Sequence, residues 1–149
     1  MKKNKYLILT ILWMIFIFVM SQTPGNDSSK QSNFIVDIII HILPITRDTL
    51  SFIVRKCAHM TEYAIFSIFV MIALIVDGIK GVRIPVISAV IAIAFAATDE
   101  FHQTFVPGRY GCVLDVLIDA AGSIIGLIIV YIIYKNMCKH KGEKCNNIN

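Results

Sequence analysis

Four apolar runs, each at or near the length needed to cross a bilayer as a helix, limit the fold of this chain more than any other feature. A helix rises ~1.5 Å per residue, so a hydrocarbon core ~30 Å thick calls for about 20 apolar residues. The runs are Tyr6 to Met20, Cys57 to Val76, Ile84 to Ala97 and Val113 to Tyr134. The second and fourth span as they stand. The first reaches length by continuing through Ser21 and Gln22. The third does so by continuing through Asp99-Glu100-Phe101-His102, with Pro85 in its first turn, where a missing N–H costs little. The expected spans are therefore 6–22, 57–76, 84–102 and 113–134, followed by a polar tail over 135–149. Apolar residues are 56% of the chain and charged ones 16%, which places it among membrane proteins. The fold class expected is an all-α integral membrane protein in a single domain, 1–149, without internal repeats.

Topology follows from the basic residues. Lys2, Lys3, Lys5, Lys80, Arg83, Lys135, Lys139, Lys141 and Lys144 fall on one side of a four-helix arrangement. Lys30, Arg47, Arg55, Lys56 and Arg109 fall on the other. By the positive-inside rule the first side is cytoplasmic, with both termini inside and the protein multi-pass in a plasma membrane. The basic start and fifteen-residue apolar core of the first run also fit a secretory signal peptide, although no small-x-small cleavage site follows. In either case the next segment lies outside the cytoplasm. It opens with turn-forming residues, Gln22 to Ser29, then becomes apolar from Phe34 to Leu43, broken by Asp37 and His41. That stretch is too short to span, and an interfacial helix in the first outer loop is expected, with Asp37 and His41 on one face.

Other classes are excluded or left without support. No basic stripe with interleaved aromatics appears, so nucleic acid is not an expected partner. Cys57, Cys112, Cys138 and Cys145 are too scattered for a disulfide framework. Cys138, His140 and Cys145 lack a fourth ligand and a fold around them.

Ionisable residues intrude on the apolar runs mainly at one end, the outer one in this topology. The second helix carries Arg55, Lys56, His59 and Glu62 there, with Arg55, His59 and Glu62 stacked on one face by their spacing. The third ends in Asp99-Glu100-Phe101-His102-Gln103. The fourth follows Arg109 and carries Asp115 and Asp119 one turn apart, on the same face as Gly122 and Gly126, a pair that admits close helix approach. Glu62 and Asp119 sit ~8–9 Å along their helices from the ends of the apolar runs. An unpaired charge at that depth costs about 2 kcal/mol or more, so these groups are expected to face the bundle interior. Five carboxylates (Glu62, Asp99, Glu100, Asp115, Asp119) stand against three fixed cations (Arg55, Lys56, Arg109), an acidic excess of two. Either protons or a bound cation must offset it. His59, Glu62, Asp99, His102, Asp115 and Asp119 are the candidate metal ligands, and their carboxylate-and-imidazole chemistry admits Zn²⁺, Mn²⁺ or Mg²⁺. Interhelical ion pairing would account for any one of these residues. The number of titratable groups at one depth favours a functional site.

These residues also carry a resemblance. Ser21-Gln22, Ser28-Ser29, Arg55-Lys56-x-x-His59-x-x-Glu62-Tyr63, Asp99-Glu100-Phe101-His102-Gln103-x-Phe105-Val106-Pro107-Gly108-Arg109 and Asp115-x-x-x-Asp119-x-x-Gly122 together resemble the VanZ-like family, in order and over nearly the whole chain. The resemblance implies a bacterial cell-envelope membrane protein, linked through the founding member to low-level teicoplanin resistance in Gram-positive bacteria. It implies no particular chemistry. Two functions are compatible with the residues. One is binding or shielding of an amphiphile, such as a lipoglycopeptide or a lipid-linked wall precursor, at the outer face. The other is an intramembrane enzyme, metal-dependent or acid–base, acting on a lipid-linked envelope substrate. A transporter is disfavoured because nothing comparable lines the cytoplasmic half.

Overall fold

The computed structural model describes residues 2–23, 33–42, 44–79 and 81–140, with side chains from Lys5 to Met137. The predicted turn residues from Pro24 to Ser29, Lys30, Lys80, the tail beyond 140 and the side chains of Cys138 and His140 lie outside them. Five helices are present among the described residues: α1 (Lys2–Ser21), α2 (33–39), α3 (Arg47–Asp77), α4 (Arg83–Gln103) and α5 (Val113–His140). α3, α4 and α5 are long and apolar enough to cross a membrane, and α1 contributes a shorter apolar helix, Lys5–Ser21. Large apolar side chains such as Leu12, Val19, Val90, Leu117 and Ile132 stand exposed along α1, α4 and α5, as a lipid-facing surface requires, whereas on α3 only Phe52 and Ile53 near its start do so.

α3 is central. It packs most extensively on α5 and also against α1 and α4, while α4 packs on α5 and touches α1 only slightly. Its core is aromatic: the rings of Tyr63, Phe66 and Phe95 lie 5.0–6.3 Å apart, centroid to centroid, with Ile17 and Val70 beside them. Trp13 of α1 donates its indole N–H to the Glu62 carbonyl at 2.9 Å and meets Phe69 edge-on. Against α5 the two backbones nearly touch. A Cβ on Gly122 would collide with the Met60 carbonyl and lie 2.8 Å from its Cα; one on Gly126 would meet the Ala64 carbonyl and Ser67 Oγ. Ser67 donates to the Ser123 carbonyl at 2.9 Å, and Ser123 to that of Tyr63 at 3.4 Å, so small polar residues join the helices where no water competes.

Several boundaries differ from expectation. α3 begins ten residues before its apolar run, at Arg47. Thr46 caps it by accepting from the Thr49 N–H, and Asp48 complements the positive end of the helix in the first turn. α3 ends at Gly78, whose φ of 95° supplies the left-handed residue that closes a helix, with Ile79 N–H bonded back to Leu74 O. α5 continues through Lys135 to His140, so the tail expected from 135 is helical for its first six residues. The helix in the first loop stops at residue 39 and passes into a turn, so Asp37 and His41 do not share a helical face. Asp37 instead pairs with Arg47 at 2.5 Å, holding α2 against the start of α3. Val36 is buried, while Phe34, Ile38 and Ile42 are exposed.

Candidate functional site

The ionisable residues singled out from the sequence collect where α1 and α4 end and where α5 begins, beside the third to fifth turns of α3. Three groups of contacts organise them.

The first joins α1 to α4. Ser21 donates to Asp99 Oδ2 at 2.8 Å, and Gln103 Nε2 reaches the same oxygen at 3.1 Å. Gln22 Nε2 meets His102 Nε2 at 2.7 Å, and the His102 ring stacks on Phe18. Arg109 closes this layer. Its Nη1 donates to Gln103 Oε1 at 3.1 Å, its Nε to the Thr23 carbonyl at 2.9 Å and its Nη2 to that of Met20 at 3.4 Å. Those carbonyls lie at and just past the C-terminal end of α1, where the guanidinium adds a donor to each and complements the helix dipole. Gly108, at φ 75°, makes the turn that brings Arg109 back over the bundle. Partial burial draws the Arg109 pKa below its ordinary value, with Asp99 and Glu100 acting in the opposite direction.

The second group joins α3 to α5. Lys56 forms an ion pair and hydrogen bond with Asp115 in the first turn of α5, and its ammonium lies 5.2 Å from the centre of the Phe52 ring. The third involves the most buried acids. Glu100 Oε2 accepts from the Cys112 N–H at 3.1 Å, just ahead of α5, where a carboxylate also suits the helix dipole. Asp119, 0% exposed, has one oxygen 3.7 Å from His59 Nδ1, beyond hydrogen-bond distance. Single ligand atoms of His59, Glu100 and Asp119 lie within 4.8 Å of one another.

Among the six metal-ligand candidates, only His59 and Asp119 belong to this grouping. Asp99 is turned toward Ser21 and Gln103, His102 toward Gln22 and Asp115 toward Lys56, while Glu62, half-buried on α3, is not part of it. The third member, Glu100, was not among those six. Asp99 and Glu100 are neighbours in sequence, yet ~100° apart around α4, so one faces α1 and the other α5. The sequence shows both carboxylates but not that phase.

A cavity of about 190 Å³ opens beside these groups, lined by Arg55, Lys56, His59, Gln103, Gly108, Arg109, Tyr110 and Asp115. Two cations fixed in hydrogen-bond networks (Lys56 and Arg109), one without a partner among the described residues (Arg55) and one imidazole give it a cationic wall. Gly108 and Tyr110 were not expected there. The adjacency of Tyr110 to Arg109 was the available signal.

An all-helical membrane protein with a polar, partly buried site at one end of its bundle is what fold and site define. The profile of the VanZ/LLP1 family matches residues 6–134, and the chain belongs to that family. Neither the curated proteins nor the solved structures searched gave a match.

Proposed function

We propose that this chain is a multi-pass protein of the bacterial plasma membrane that binds the anionic headgroup of an amphiphile in its outward-facing cavity. All four apolar helices cross in this reading, α1 by local thinning of the bilayer and by snorkelling of its N-terminal lysines. Both termini are cytoplasmic, and the cavity opens to the outer leaflet. α2 lies in the outer interface with Phe34, Ile38 and Ile42 toward lipid. The amphiphile is a lipid-linked wall precursor or a lipoglycopeptide. Holding it at the membrane alters its access to its target, which is how a VanZ-like protein would contribute to low-level teicoplanin resistance.

The observation that carries this reading is the cavity wall, where Arg55, Lys56, His59 and Arg109 converge. Cations beside a lipid-accessible opening suit phosphate or carboxylate headgroups. Arg55 is the cation to change, because no hydrogen bond or ion pair among the described residues depends on it. A deletion strain complemented with wild type is expected to regain reduced teicoplanin susceptibility, and one complemented with Arg55→Gln to regain little of it. In nanodiscs, wild type should retain a polyprenyl-pyrophosphate precursor more tightly than the variant. Equal complementation and equal retention by both proteins would overturn the reading.

A further inference from the structure

We propose that His59, Glu100 and Asp119 hold a divalent transition-metal ion between α3, α4 and α5. The ligand atoms are His59 Nδ1, Glu100 Oε1 and an Asp119 oxygen, with Zn²⁺ or Mn²⁺ the ions that suit one imidazole and two carboxylates.

Several buried polar atoms at this place have unmet hydrogen bonds. Buried polar side-chain atoms nearly always have a partner. Here His59 Nδ1, Glu100 Oε1 and both oxygens of Asp119 are buried and have none among the described residues. These are the atom types a metal would take, on the three residues whose ligand atoms already lie within 4.8 Å of one another. Asp119 is 0% and Glu100 3% exposed, so bulk solvent does not reach these carboxylates as it would on a surface.

Charge points the same way. Lys56 is committed to Asp115, and Arg109 to carbonyls and an amide, so neither fixed cation pairs with Glu100 or Asp119. Two carboxylates facing each other inside a membrane bundle need a positive charge or a proton, and a divalent ion offsets both at once.

The ligand atoms are spaced nearly as a metal ion would hold them. Donor atoms around a tetrahedral ion with ~2.1 Å bonds stand about 3.4 Å apart. His59 and Asp119 are near that spacing at 3.7 Å, and with all three ligand atoms within 4.8 Å of one another no pair has more than about 1.4 Å to close. The other Glu100 oxygen is held by Cys112 N–H, an outer hydrogen bond of the kind that orients a ligating carboxylate. His59 also lines the cationic cavity, so a fourth coordination position facing that cavity would be open to water or a ligand oxygen. The inference stands independently of whether the cavity takes an anionic headgroup.

The test is metal content of the full chain, purified in detergent with a tag free of histidine, after incubation with Zn²⁺ or Mn²⁺ and desalting. Wild type is expected to retain about one ion per chain. His59→Gln and Asp119→Asn are expected to lose at least tenfold in affinity, and Glu62→Gln, a nearby carboxylate outside the trio, to bind as wild type does. No retained ion in wild type would overturn the proposal, as would unchanged binding in folded His59→Gln and Asp119→Asn. If either variant fails to fold, Co²⁺ bound to wild type decides. Ligand-field bands without a thiolate charge-transfer band are expected, whereas such a band would place the ion on cysteine and overturn the assignment.

Discussion

The Ser21 hydroxyl donates to Asp99 Oδ2 at 2.8 Å, so a carboxylate buried at the end of α4 is met by a residue 78 positions earlier, at the end of α1. Ser21→Ala leaves that oxygen with Gln103 alone, while Oδ1 already lacks a partner. Loss of about 1–3 kcal/mol is expected, the cost of a buried acceptor left short. Reversible denaturation in mixed micelles measures it, and Ser21→Thr, which keeps the hydroxyl, should recover most of the loss.

Gly122 and Gly78 separate two reasons for needing glycine. Gly122→Ala drives a Cβ into the backbone of Met60 and must push α5 off α3, at about 1–3 kcal/mol. Gly78→Ala meets no atom and carries only the strain of a left-handed residue, about 1 kcal/mol. Thermal melts in detergent should rank Gly122→Ala below Gly78→Ala. The reverse order would mean that close contact between α3 and α5 is not needed.

Trp13 is the chain's one tryptophan, which makes its contact directly readable. Trp13→Phe keeps a ring beside Phe69 but removes the donor to the Glu62 carbonyl, an expected loss of about 0.5–1.5 kcal/mol. In wild type, denaturation should shift the tryptophan emission in step with the loss of helical circular dichroism. A fluorescence change that precedes helix loss would mean that α1 separates from α3 first.

Much of this arrangement was legible in the sequence, for identifiable reasons. The apolar runs marked α1, α3, α4 and α5 because helices that face lipid or one another in a bilayer are apolar over most of their length. The start of α3 was not legible. Arg47, Asp48, Arg55 and Lys56 break the hydrophobic pattern, and the signal there is the cap at Thr46, which composition does not reveal. In the site, the participating side chains could be recognised but not all their partners. Arg109 and Trp13 bond to backbone carbonyls, which every residue possesses, and Glu100 was hidden by its neighbour Asp99.

Orientation has its own test, using cysteines native to the chain. Cys112 is exposed at the site end of the bundle, and Cys145 follows the last residue of α5, His140, by five positions in the sequence. In intact cells, a membrane-impermeant maleimide is expected to label a variant that keeps only Cys112. A variant that keeps only Cys145 should be labelled only after permeabilisation. The opposite pattern would reverse the proposed topology.

Arg109 binds two carbonyls at the end of α1, and Ser21 and Gln22 engage Asp99 and His102. The N-terminal helix therefore supplies part of the scaffold that holds the polar site. A protein cut after position 23 would lose those partners together. Expressing α1 as a separate segment alongside such a truncated chain should restore the site only if the two pieces reassemble in the membrane, so intactness of the first helix and integrity of the site are one property.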